Sequence, residues 1–367
     1  MPRQAVPRPR KGLWCRDVTI LSDRWKGFRR IPHVPIAQLP TELTPLTSLS
    51  ERAGADLWVK RDDRTWPRYG GNKIRKLEYL LGEVLRDDAD TIITTGAAGS
   101  HHALATALCA ADLRLRVEII AFPQPHSAHA EAQLRALLHA GAQVHPIRTG
   151  ALAIPSMHAL AARLRLRRRR PFVIPPGGSS VAGVFGYVEA GLELARQIES
   201  RVMPEPDAIF VALGTGGTVA GLAIGLAAAG ITSEVVGVRV VPRVVANLAV
   251  VGSLVKRAVE ELRAMDSRFP DVAKTARSHI SIETRELGSG YGHITTVSRN
   301  AMRLAREHAG MELDPTYTAK ALSGMLRHAA GERRGQCLLF LNTLSEKLPE
   351  SEPGPRLPES LRRLLKR

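Results

Sequence analysis

Aromatic side chains make up only 4% of this 367-residue chain, which leaves it little with which to stack exposed bases. Acidic residues are also outnumbered, 35 against 52 lysines and arginines, for a formal net charge of +17. That balance raises nucleic acid as a partner. The excess sits in patches, however: an N-terminal arm through Arg30, the run RLRLRRRR at 163–170, and the ending LRRLLKR. No nucleic-acid-binding motif accompanies them, so they read as solvated basic faces and nucleic acid is not an expected partner. Cysteine is nearly absent. Cys15, Cys109 and Cys337 are odd in number, far apart and without metal-site spacing, which excludes a disulfide framework and points to a reducing, cytoplasmic setting. One long uncharged run exists, IFVALGTGGTVAGLAIGLAAAG at 209–230. Its glycine cluster would break a helix, so it reads as a buried strand, a glycine loop and a small-residue helix, with no membrane partner. The opening MPRQAVPRPRKGLW has no apolar run for a secretory leader, and its prolines oppose the amphipathic helix of a transit peptide.

Short apolar runs alternate with helical patterns along the rest of the chain. ADLWVKRDD, DTIITT, RVEIIAF, PFVIPP, DAIFVAL, SEVVGVRVV and QCLLFLNT read as strands, and helices are expected over 73–86, from Ser100, over 128–140, near 183–199 and from Thr218. This alternation predicts an α/β fold of open, twisted, mostly parallel sheets flanked by helices. Sites in such folds lie beyond the carboxyl ends of the strands.

The loops there hold the candidate residues. In GGNKIRKLEYLL, Ile74, Leu77, Leu81 and Val84 recur at helical spacing, so Lys73 sits at a helix start with Asn72 as the expected N-cap. A helix N-terminus disfavours an ammonium and lowers its pKa, which suits an amine nucleophile. A surface lysine beside Arg75 and Lys76 is the plainer explanation. Ser100 is an expected N-cap whose helix terminus could also hold a carboxylate. His101 and His102, adjacent in sequence, cannot both face one site, and they lack the i,i+4 spacing of metal ligands. In ALGTGGTVAGL, Gly214, Gly216 and Gly217 with Thr215 and Thr218 form a potential anion cradle. It lacks the ending of a P-loop, and Val219 occupies the third glycine's place of a dinucleotide motif, so a phosphate monoester fits better than a nucleotide. In LDPTYTAKA, Asp314 is an expected N-cap, placing Tyr317 and Thr318 in a first helical turn; Tyr291 lies in a loop, GSGYGHI. Either tyrosine could transfer protons or simply fix its loop.

In order, KRDD…GGNKIRKLEYLL, the Ser100 block, PPGGSSVAGVFGYVEA, GTGGTVAGL, GYG and LDPTYTAKA resemble the pyridoxal-phosphate-dependent family of 1-aminocyclopropane-1-carboxylate deaminase and D-cysteine desulfhydrase, over roughly residues 35–345. The resemblance implies the tryptophan-synthase-β fold (fold type II), pyridoxal 5′-phosphate as cofactor and a homodimer. It implies a large cofactor domain over 35–75 and 186–345, a small domain over 76–185, a basic arm at 1–34 and a proline-rich basic tail at 346–367. Lys73 would hold the cofactor covalently and move protons, preceded by Asn72. Ser100 would contact the substrate carboxylate, Gly214 to Thr218 would cradle the phosphate, and Tyr291 and Tyr317 would be active-site tyrosines. Thr318 stands where deaminases carry a glutamate facing the pyridine nitrogen, a desulfhydrase-like state suited to elimination of a good leaving group. His101 replaces an asparagine near the cofactor, Ala98-Gly99 replaces a bulkier residue and glutamine, and FLNTLS replaces F-x-H-T-G-G, so Asn342, Leu344 and Ser345 remodel a nearby loop. The implied activity is α,β-elimination or deamination of a small amino acid such as D-cysteine. The alternatives are β-replacement, racemisation or cyclopropane ring opening on the same cofactor, or a non-catalytic relative that binds a ligand or an acidic partner.

Overall fold

The structure is a computed structural model and describes residues 19–345 and 357–366. Its strands are Leu43–Pro45 (β1), Asp56–Lys60 (β2), Thr91–Ala97 (β3), Arg116–Phe122 (β4), Gln124–Pro125 (β5), Gln143–Pro146 (β6), Pro171–Val173 (β7), Ala208–Leu213 (β8), Glu234–Arg239 (β9), Ile280–Glu283 (β10), Cys337–Leu341 (β11) and Leu365–Lys366 (β12). They form a six-stranded sheet in the order β1-β2-β11-β8-β9-β10 and a four-stranded sheet in the order β6-β4-β3-β7. Among the described residues only β1 pairs antiparallel, with β2. The run AIFVAL of β8 is buried at every position, as a parallel strand covered on both faces requires.

The helices that matter for the site are Asn72–Arg86 (α1), His101–Asp112 (α2), Ala128–His139 (α3), Val181–Glu199 (α4), Gly217–Ala229 (α5), Leu248–Met265 (α6) and Thr318–Ala329 (α7). The apolar run at 209–230 is divided between β8 and α5, and among the described residues no helix is long and apolar enough to cross a membrane. The loops after β2, β3, β8 and β11 converge where the two sheets meet, which is where the candidate residues lie.

A buried polar network anchors the start of α1. Arg75, with no solvent exposure, donates to both oxygens of Asp62 (2.8 and 3.0 Å) and to Glu193 (2.9 Å). Lys60 meets Glu193 at 2.5 Å, and the Tyr187 hydroxyl donates to Asp62 at 2.6 Å. Each buried charge thereby has an opposite partner.

Two segments expected to be peripheral are packed. In the arm, Leu21, Trp25 and Phe28 are buried, with the Trp25 ring 4.9 Å from that of Phe269. Glu189 on α4 accepts from the N–H groups of Ile20 and Leu21. Residues 1–18 of that arm, and residues 346–356 of the expected tail, lie outside the described residues. The described part of the tail buries Leu357, Leu361, Leu364 and Leu365, and β12 pairs in parallel with β5. The basic composition hid a leucine pattern spaced for burial.

Candidate active site

Lys73 owes its place to the glycine before its helix. Gly71, not Asn72, occupies the N-cap position, at φ +99°. A Cβ there would lie 2.8 Å from the Thr343 carbonyl oxygen, so only glycine lets the β11 loop approach this closely. Asn72 is the first helical residue; its N–H donates to Thr343 and its side-chain amide donates to the Thr218 hydroxyl at 3.1 Å. It therefore ties α1 to the glycine loop instead of capping α1. Lys73 lines a cavity of about 990 Å³ between the sheets and has no hydrogen-bond or ion-pair partner among the described residues. Burial lowers its pKa to about 8.

The glycine loop after β8 forms the opposite wall. Gly216 takes φ +85°, and a Cβ on Gly217 would come within 2.7 Å of the Ser179 hydroxyl and 2.9 Å of Lys76 Nζ. The N–H groups of Thr215, Gly216 and Thr218 have no acceptor among the described residues. Together with Ser179, which meets the Thr215 hydroxyl at 2.6 Å, they offer an anion several donors at the start of α5. Lys76 was not singled out from the sequence. It lies one helical turn beyond Lys73, so the i,i+3 spacing places both amines on one face. Its Nζ donates to the Gly177 carbonyl at 3.2 Å, and burial, then the charge of Lys73, hold its pKa well below the ordinary lysine value. A bound phosphate at this cradle would restore charge to the amine. The residues thus fit pyridoxal phosphate: an amine for its aldehyde and a glycine cradle for its phosphate. Substituting Gly217 with alanine should weaken cofactor affinity about tenfold or more, measured by titrating cofactor-free protein, because the added methyl would push aside Ser179 and Lys76.

Ser100 caps α2, accepting from the Ala103 N–H at 3.2 Å. The N–H groups of His101 and His102 are left without acceptors among the described residues, at a helix end facing the cavity. Contrary to expectation, both histidines line the cavity. His102 reaches the Thr94 hydroxyl at 3.0 Å. Both nitrogens of His101 are engaged, Nδ1 by Tyr69 at 2.6 Å and Nε2 by His129 on α3 at 3.0 Å. Burial, then the neighbouring His129, lower the His101 pKa to about 3, so the ring is neutral at physiological pH.

Tyr291 and Tyr317 meet at the mouth, the Tyr317 hydroxyl donating to that of Tyr291 at 3.0 Å. Burial raises both phenols, Tyr291 to about 12, so they act as neutral donors. Tyr317 is the N-cap of α7 rather than a first-turn residue, because Asp314 reaches past it. The Asp314 carboxylate accepts from the N–H groups of Thr316, Tyr317 and Thr318 and from the Thr318 hydroxyl at 2.8 Å. Burial works against its charge, but these donors hold the ionised form, and its pKa is lowered. Thr318 is 1% exposed and lies behind the cavity wall, where its hydroxyl is held by Asp314. Thr343 and Leu344 of the remodelled loop line the cavity, whereas Asn342 lies behind them.

The sequence pattern described as "Pyridoxal-phosphate dependent enzyme" matches residues 34–343, and the chain belongs to this family. It requires pyridoxal phosphate, and its sheets follow fold type II. A D-cysteine desulfhydrase of Klebsiella pneumoniae is 36% identical over 306 residues, covering 82% of this chain and 89% of the relative. A Pyrococcus furiosus protein with the provisional name 1-aminocyclopropane-1-carboxylate deaminase is 35% identical over 314 residues, 86% of this chain and 92% of its own. Among solved structures, one titled as an ACC deaminase homologue superposes with a TM-score of 0.75 at 31% identity, over 87% of this chain and 94% of that one. The processed form of threonine deaminase isoform 2 from Solanum lycopersicum, at 16% identity and a TM-score of 0.60 over 95% of this chain and 96% of that one, shares the fold.

Proposed function

We propose that this enzyme is a lyase that eliminates a β-substituent from a small amino acid, with D-cysteine as the leading substrate, releasing a 2-keto acid, ammonia and sulfide. When bound, pyridoxal phosphate withdraws electrons from the substrate α-carbon and so weakens its C–H bond. Lys73 Nζ would hold the cofactor and, as a free amine beside the substrate α-carbon, would take the α-proton. The N–H groups of His101 and His102, with Ser100, hold the substrate carboxylate. Lys76, Gly214, Thr215, Gly216, Gly217 and Thr218 hold the phosphate. Tyr291 and Tyr317 remain protonated and donate hydrogen bonds at the cavity mouth.

One observation carries the choice of elimination over ring opening. Asp314 is the single carboxylic acid lining the cavity among the described residues, and four donors already occupy its oxygens. Thr318 has no acid to offer either. Among the described residues no free carboxylate lines the cavity to keep the cofactor's ring nitrogen protonated, so its electron withdrawal would be moderate. That is enough to expel a thiolate, which is a stable leaving group. Relatives carrying the name D-cysteine desulfhydrase support the same reading. The cysteine pattern supports a cytoplasmic setting, and the family resemblance a homodimer, to be measured by light scattering.

The test is a panel of D- and L-cysteine, D- and L-serine and 1-aminocyclopropane-1-carboxylate with reconstituted enzyme. Pyruvate and sulfide from D-cysteine are expected. Keto acid from the cyclopropane substrate, with no sulfide from either cysteine, would assign ring opening instead.

A further inference from the structure

We propose that the C-terminal segment 357–366, which lies beyond the family-matched residues 34–343, is a positioning element of the active site. It acts through β5 on the two loops that carry Ser100 and Tyr291, and in this it rests on the roles proposed above. Among the described residues, β12 is the one strand that pairs with β5. The Gln124 N–H donates to the Leu364 carbonyl at 2.9 Å, and Leu365 stands beside Gln124 in the register. Four buried leucines, Leu357, Leu361, Leu364 and Leu365, anchor the segment.

From β5 the contacts lead into the site on two sides. The side chain of Gln124, 7% exposed, accepts the N–H of Gly99 at 3.0 Å, and the next residue is Ser100. Gly99 fits tightly there, since a Cβ on it would lie 3.0 Å from the Gln124 amide nitrogen and 2.8 Å from Ala130 of α3. On the other side, a Cβ on Gly292 would lie 3.1 Å from Pro125 Cδ, so the backbone just after Tyr291 rests on the proline ring. These two residues of β5 therefore set the height of the α2 N-terminus and of the tyrosine loop. The phosphate cradle and Lys73 are built by other segments, α1 and the loop after β8.

The experiment uses the full-length, cofactor-loaded protein with two kinds of change. Leu361→Asp together with Leu364→Asp releases the segment, verified by new tryptic cleavage at Arg362 and Arg363. Gln124→Ala leaves the segment docked but removes its link to Gly99. Each is expected to lower kcat/KM about tenfold to a hundredfold, the scale of a small misplacement of reacting groups. Each should also weaken binding of D-alanine, which has no leaving group, about tenfold, read by calorimetry. Cofactor absorbance and affinity should stay within about twofold. Because release of the segment acts in part through Gln124, their combination should cost less than the sum of the two separate losses. Unchanged turnover and D-alanine affinity with the segment released would overturn the inference, as would additive losses or losses that track cofactor release. Wild-type protein that turns over no amino acid would refute the proposed reaction, and D-alanine binding would then decide the positioning role by itself.

Discussion

Replacing Lys73 with alanine should give a folded protein without the visible absorbance of lysine-bound cofactor, and turnover should fall by about a thousandfold or more. The expectation follows from geometry. Lys73 lines the cavity within reach of the glycine loop and has no partner among the described residues to hold its amine otherwise. Removing it takes away both the covalent anchor and the base for the α-proton, and the loss of an essential nucleophile or base is of this order. The pH dependence has a definite sign. Burial lowers the Lys73 pKa to about 8, so in cofactor-free protein the reactive neutral amine increases as pH rises through about 8 and is nearly complete above it. The rate of cofactor uptake, followed by stopped-flow absorbance, should rise across that window and then level. Lysine at its ordinary pKa would still be gaining reactivity near pH 10. A visible band that survives in Lys73→Ala would contradict the assignment.

Arg75→Ala is expected to be the most destabilising single change near the site, by about 3–5 kcal/mol in urea denaturation at neutral pH. Arg75 is fully buried and is shared by Asp62 and Glu193, so its removal leaves two carboxylates in the interior with too few partners. Burial alone would raise the pKa of Glu193, but Arg75 and Lys60 overcome it and bring the value down to about 2. A depressed carboxylate contributes stability that is present above the ordinary glutamate pKa and is lost as pH falls through about 2. In the variant Lys60 is the one cation left paired with Glu193 among the described residues, so its pKa should rise and acid unfolding should move to higher pH. Arg75→Lys should recover only part of the loss, since an ammonium cannot reproduce the paired contacts of the guanidinium. A change below about 1 kcal/mol would mean the network contributes little.

Much of this was legible in local sequence, for physical reasons. Buried parallel strands must be apolar along their whole length, so β3, β4, β8 and β11 stand out, and glycine loops mark where backbone must approach a ligand. Lys73, Ser100 and the loop Gly214 to Thr218 stand out in the sequence because each sits at such a junction, and all of them line the cavity. What escaped depends on contacts between distant segments. Asn72 reads as a cap, but its amide is drawn to Thr218, and Gly71 takes the cap because the β11 loop crowds it. Thr318 reads as facing the cofactor, yet Asp314 holds it behind the wall. The hydrogen bonds joining His101 to Tyr69 and His129 span residues far apart in sequence, and no periodicity encodes them. The leucines of the C-terminal segment were masked by the charges between them. Lys76 could have been found from its spacing to Lys73.

The most direct measurement incubates the reconstituted protein with D-cysteine and follows pyruvate and sulfide together, with Lys73→Ala alongside. Equal amounts of the two products, formed catalytically by the wild type and lost in the variant, are predicted. Sulfide without pyruvate, equal yields from the variant, or no product from a fully cofactor-loaded wild type would contradict the proposed elimination.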